Sequence, residues 1–183
     1  MVHNFTESLE RGERFEQLLD QHFSQWFSVE TVTMEFQRLG IDRIFTKQNG
    51  QRFTVEYKTD ERAHETGNIF VETVSVKKGE TVEKLGWAHT STAQLLVYYV
   101  PGIQRLYIVD MLALRDKLDK WSKQHRTAQA DNGGYVGEGL LVPLQKLEKL
   151  CRGVQNVTGH VLEQDAKQRT QDRQQDLLRE LGY

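Results

Sequence analysis

Apolar positions near the start of the chain recur at helical spacing. With Phe15 as reference and about 100° per residue, Leu18, Leu19, His22, Phe23 and Trp26 fall on one stripe, which predicts a helix over 6–27. Glu16 lies at the edge of that stripe, whereas Glu13 points well away. The period then shortens to two. Val29 to Phe36 alternate well enough to form a strand. Between Leu39 and Thr59, two runs rich in β-branched and aromatic residues flank Gln48-Asn49-Gly50, the pattern of a β-hairpin. Thr59 to Asn68 is polar and reads as a loop, with Arg62 and His64 just downstream of the hairpin. Asn68 to Val74 reads as a strand carrying Glu72, and Gly86-Trp87 opens a short helix or turn. Leu95–Val100 and Leu106–Val109 are continuously apolar, as central strands buried on both faces are.

Asp110 is placed to cap a helix whose Met111, Leu114, Leu118 and Trp121 share one face. Its other face is the most basic stretch of the chain, with Arg115, Lys117, Lys120 and Lys123 as candidates for phosphate-backbone contacts with DNA. Ala128 to Gly139 holds four glycines and reads as a loop. Leu140–Val142 reads as a short last strand that Pro143 ends, and Leu144–Leu150 as a helix. From Glu163 onward the tail is polar, with apolar residues only near Leu177, Leu178 and Leu181.

The hairpin's register decides its chemistry. A two-residue Asn-Gly turn would set Asp42 opposite Tyr57 and mix polar with apolar side chains on both faces. A three-residue loop with Gly50 in the left-handed conformation pairs Lys47 with Gln51 and Asp42 with Glu56. Ile41, Phe45, Phe53, Val55 and Tyr57 then share a face on which only Arg43 is a misfit, and Asp42, Glu56 and Lys58 share the other. A one-residue slip inverts every side chain, so the cleaner apolar face selects the longer loop. Two carboxylates across a strand pair have Cβ atoms roughly 5 Å apart and repel. A divalent cation between them reverses the sign, and hard oxygen donors favour Mg²⁺. Lys58 projects from the same face, where an ammonium can hold water and offset charge on a phosphate.

Composition narrows this reading. At 183 residues, with 38% apolar and 27% charged positions, the chain suits one soluble domain. No apolar run is long enough to span a membrane and no signal-peptide pattern opens the chain, so the expected location is cytoplasmic. A single cysteine, Cys151, excludes an internal disulfide and a cysteine-based zinc site. The net charge of −2 weighs against a general nucleic-acid binder unless the basic residues cluster.

Gly40-Ile41-Asp42 followed by Val55-Glu56-Tyr57-Lys58 resembles the PD-(D/E)xK nuclease superfamily, which holds restriction endonucleases, archaeal Holliday-junction resolvases and Mrr-like nucleases. Ile41 stands where the name-giving motif has proline. A second acid-x-Lys match, Asp165-Ala166-Lys167, lies in the polar tail with no hydrophobic strand around it. The resemblance covers roughly 10–143. It implies an α/β, restriction endonuclease-like three-layer core, a mixed central sheet flanked by helices, in a domain over 1–150; 151–183 is then a polar extension, helical or partly disordered. It also implies a Mg²⁺-dependent deoxyribonuclease, an endonuclease, with Mn²⁺ as a substitute. Asp42, Glu56 and the Tyr57 carbonyl would hold the metal, and Lys58 would position the attacking water. Gly12-x-x-Phe15-Glu16 is similar to the superfamily's first-helix glutamate, which makes Glu16 an assisting residue. The expected partner is DNA, with no membrane and with room for a homodimer. The alternative is a catalytically silent DNA-binding or interaction protein on the same fold.

Overall fold

The computed structural model describes residues 5–131 and 135–157. Helix α1 (Phe5–Phe23) leads into strand β1 (Ser28–Thr31) and the short α2 (Met34–Arg38). Strands β2 (Arg43–Thr46) and β3 (Arg52–Thr59) form the first hairpin, followed by α3 (Ala63–Thr66) and a second hairpin of β4 (Asn68–Lys78) and β5 (Thr81–Leu85). Then come α4 (Trp87–Thr90), β6 (Leu95–Val100), a 3₁₀ turn at Pro101–Ile103, β7 (Arg105–Asp110) and α5 (Met111–Gln124). Strands β8 (Thr127–Asp131) and β9 (Val136–Pro143), α6 (Leu144–Glu148) and β10 (Cys151–Asn156) complete the described chain.

Two sheets result. The larger has the order β1-β2-β3-β6-β7-β10, antiparallel throughout except where β3 runs parallel to β6. The smaller, β5-β4-β9-β8, is wholly antiparallel. Alternation along β3 and β6 sorts their side chains into two cores. Val55, Tyr57, Val97 and Tyr99 pack with Leu18, Leu19 and Phe23 of α1. Leu96 and Tyr98 pack instead with Val71 and Leu140 of the smaller sheet and with Met111, Leu114 and Trp121 of α5. The protein is therefore a mixed α/β structure with a six-stranded central sheet between α1 on one side and the smaller sheet with α5 on the other. Because Glu56 pairs with Leu96 and Lys58 with Tyr98, both charged side chains face that second core.

Several elements differ from the sequence reading. Val29–Phe36 is not one strand: Gln37 N–H bonds to the Thr33 carbonyl and starts α2, a helix with no buried residue. Met34 and Phe36 are exposed, so their alternation does not report burial. Helix α1 ends at Phe23, which leaves Trp26 exposed rather than on the buried stripe. Ile41 does not share the face of Phe45 and Val55 but packs in the opposite core, because it precedes the ladder. The polar run after Thr59 contains the turn of α3, whose Arg62 and Ala63 N–H groups bond to Asp60 Oδ1. Ala128 to Gly139 is largely the β8–β9 hairpin rather than a loop, with Gly137 and Gly139 paired inside it. The sheet continues past residue 150 into β10, which His22 Nε2 ties to α1 through Gln155 Oε1 at 2.9 Å. The rest of the expected extension, with Leu177, Leu178, Leu181 and Asp165-Ala166-Lys167, lies outside the described residues. Among the described residues, no helix is long and apolar enough to cross a membrane.

Candidate active site

The first hairpin has the three-residue loop. Lys47 N–H donates to the Gln51 carbonyl at 2.8 Å and Gly50 N–H to the Lys47 carbonyl at 2.9 Å. Gly50 has φ +82°, a conformation that a side chain would disfavour. Pairing then runs Thr46 with Arg52, Phe45 with Phe53 and Arg43 with Val55. At the open end the ladder drifts. Asp42 N–H donates to the Val55 carbonyl at 2.8 Å, and Asp42 Oδ2 accepts the Tyr57 N–H at 2.7 Å. The Asp42 carboxylate is thus fixed on the backbone of β3, between the residues that carry the Glu56 and Lys58 side chains.

Glu56 is buried, 3% exposed. Its Oε1 holds the Lys58 ammonium at 2.5 Å, while Oε2 has no hydrogen-bond partner among the described residues. Burial pushes the Glu56 pKa up; Lys58 opposes this, Asp42 adds to it, and the net shift is upward. Burial works against the charge on Lys58, but the Glu56 and Asp42 carboxylates more than offset it and hold its pKa above the usual lysine value. Lys58 is therefore an ammonium at neutral pH, a donor and not a base. The wall behind Glu56 is built by Gly40, at φ +69°, and Ser91. A Cβ on Gly40 would come within 2.8 Å of Glu56 Oε2 and 2.7 Å of Ser91 Cβ. Ser91 donates its hydroxyl proton to the Gly40 carbonyl at 2.6 Å and stands close enough to Glu56 to favour the carboxylate, while geometrically Glu56 Oε2 has no partner among the described residues.

Arg43, the misfit of the apolar face, is buried beside α1. Its Nε donates to both Asp20 oxygens at 2.9 and 3.0 Å, one terminal nitrogen to Glu16 Oε2 at 3.0 Å, and the other to the Asp42 carbonyl at 2.8 Å. Asp20 also accepts the Tyr57 hydroxyl at 3.1 Å. The structure therefore brings Asp42, Glu56 and Lys58 together and attaches Glu16 to Arg43. Glu16 still senses the site: burial raises its pKa, Arg43 lowers it, Asp42 raises it, and the net shift is upward. Sequence reasoning missed Asp20, although it stands four residues after Glu16 on the same face of α1. It missed Ser91 as well, and no periodicity marks that residue.

Beside Lys58 opens a cleft of about 580 Å³. Glu72 lines it from β4, accepting the Trp87 N–H at 3.3 Å, and Arg62 lines it from the α3 turn. Burial raises the pKa of Glu72 against the opposing effects of the Trp87 N–H, Lys58 and Lys84. On α5, Lys117 is half-buried and Lys120 and Lys123 are exposed, the last paired with Asp119 at 2.8 Å. Arg115 is turned inward, donating to the Ala88 and Ser91 carbonyls, so it braces α4. Among the described residues, no three His, Cys, Asp or Glu side chains converge in a geometry that could hold a metal ion.

No family model matches the chain, and no curated protein matches it. Among solved structures, the bacterial homing endonuclease I-Ssp6803I is similar at 15% identity and a TM-score of 0.39, over 60% of this chain and 69% of that one.

Proposed function

We propose that the protein is a Mg²⁺-dependent deoxyribonuclease, an endonuclease in which Asp42 and Glu56 hold the cation and Lys58 acts on the reacting phosphate. The observation that carries this reading is the buried Glu56, with Oε1 on the Lys58 ammonium and Oε2 without a partner. A buried carboxylate oxygen left unsatisfied is unfavourable, and such groups in native proteins call for an explanation. Two carboxylates are what Mg²⁺ ordinarily takes from a protein, leaving its other positions to water and substrate. The Tyr57 carbonyl completes the donor set by resemblance, and Mn²⁺ substitutes. When bound, the cation supplies Lewis-acid polarisation of the phosphate. Lys58 donates to the attacking water and to the charge that builds on the phosphoryl oxygens. Asp42 is held by the Tyr57 N–H and so meets the cation without reordering. Lys117, Lys120 and Lys123 lie on the helix that packs on the same side of the central sheet as Glu56, and they contact the DNA backbone.

The alternative is a DNA-binding or interaction protein on the same fold, without catalysis. Supercoiled, linear and branched DNA incubated with and without Mg²⁺ separates the two. Cleavage that requires Mg²⁺ and is abolished by EDTA supports the nuclease; binding with no cleavage of any form supports the silent protein.

A further inference from the structure

The cleft beside Lys58 has walls that phosphate chemistry does not require. Phe15 lines it from α1, Phe70 from β4 and the largely buried Trp87 from α4, so three separate elements each contribute an aromatic residue. Phe70 is held firmly. Its N–H bonds to Asp60 Oδ2 at 3.2 Å and to the Tyr98 hydroxyl at 3.1 Å, and Tyr98 in turn donates to Asp60 at 2.7 Å. Its ring lies against Gly139 of β9, where a Cβ would come within 2.6 Å of a ring carbon. Glycine at that position is what lets the ring sit against the strand. The volume, about 580 Å³, falls in the range that encloses a small ligand. Lys58 and the exposed Arg62 supply positive charge at the same opening.

We infer that the cleft receives one unstacked nucleotide next to the scissile phosphate, so that the substrate class is DNA with an unpaired nucleotide at the cut: single strands, flaps or bulges. This rests on the nuclease reading. Aromatic platforms bind any base, because every base has a π-face, and a cationic rim tracks the backbone beside them. A base inside a duplex must first be unstacked to enter, whereas an unpaired base is already largely available. Both Asp60 oxygens are engaged within the protein, whereas Glu72, which takes the Trp87 N–H on Oε2, also lines the cleft and can accept from a base amino group.

The test uses three oligonucleotides of one sequence: a full duplex, a duplex with a one-nucleotide bulge, and a single strand. Each carries the fluorescent base 2-aminopurine at the same position. In Mg²⁺ under single-turnover conditions, the bulged and single-stranded forms are expected to be cut at least about tenfold faster than the duplex. Fluorescence of the unpaired base should be quenched by the wild-type protein and not by Phe70→Leu, which keeps apolar volume but removes the ring. If Phe70→Leu does not fold, as judged by its melting profile, Phe15→Leu takes its place. Equal cutting of all three forms, with quenching unchanged in the variant, overturns the inference and leaves the nuclease standing. No cutting of any form removes the nuclease reading. Quenching lost in the variant would then still support an aromatic base site, and no quenching at all would overturn it.

Discussion

Glu56 holds a buried charge that one lysine and one aspartate pull in opposite directions, and the residues behind it leave no spare space. Gly40→Ala would place a methyl group against Glu56 Oε2 and Ser91 while holding φ at +69°. Left-handed strain and overpacking together are expected to cost roughly 2–4 kcal/mol, measured by urea unfolding; a loss within experimental error would show that the wall yields. Glu72 gives a pH-dependent prediction. Its folded pKa lies above the ordinary 4.5 because burial disfavours the carboxylate. Its contribution to stability is therefore fully present below pH 4.5 and is lost as the pH rises through the folded pKa. Glu72→Gln keeps an acceptor for the Trp87 N–H without the charge. The variant should melt above wild type at pH 7, and the gap should close below pH 4.5; an equal gap at both pH values would contradict the burial argument. The strand residues of the site were legible because a period of two, with one turn glycine, fixes which side chains share a face. Ser91 was not, since it arrives from the connection after α4 and reaches Gly40 only through the fold.

At the scale of elements, Arg43 ties α1 to β2. A basic residue on an apolar strand face, with two carboxylates four apart on the preceding helix, is a readable signal for such a tie, but only once strand and helix are known to pack. Arg43→Gln leaves Asp20 and Glu16 facing each other without their cation. Asp20 and Glu16 are 26% and 40% exposed, so the loss should fall below that of a fully buried pair, at about 2–3 kcal/mol. Adding Asp20→Asn should recover part of it in denaturation experiments, and no recovery would mean that the arginine acts by packing alone. Helix α5 was legible in full, from its Asp110 cap to its buried stripe. Its basic face was only partly so, since sequence cannot show that Arg115 turns inward to α4. Replacing Lys117, Lys120 and Lys123 with glutamine should weaken binding to all DNA sequences about equally. It should also flatten the plot of log K against log salt by about 0.9 for each phosphate that is no longer neutralised; an unchanged slope would mean that these residues are only a solvated face. The β8–β9 hairpin was misread because glycine is the usual mark of a loop, whereas Gly137 and Gly139 are paired within it and Gly139 makes space inside a strand for the Phe70 ring.

At the scale of the molecule, the proposed function requires a chain of net charge −2 to present positive charge to DNA locally. The fold offers a way: acidic Glu16 and Asp20 are paired with Arg43 on the α1 side of the central sheet, while Lys58 and α5 lie on the other side. The two-sheet arrangement was not legible from sequence, because the smaller sheet depends on pairing between β4 and β9, strands that lie far apart along the chain. The cleft that this pairing helps to build adjoins Lys58, and in the proposed function Lys58 works there on a phosphate. The most direct measurement is single-turnover cleavage of end-labelled DNA in Mg²⁺ by wild type and Lys58→Ala, with binding followed in parallel. This role of Lys58 predicts a rate lower by roughly 10²–10³ in the variant, with DNA affinity within about twofold, since the lysine acts on the transition state. Cleavage by Lys58→Ala at the wild-type rate, or wild-type cleavage that persists in EDTA, would contradict it.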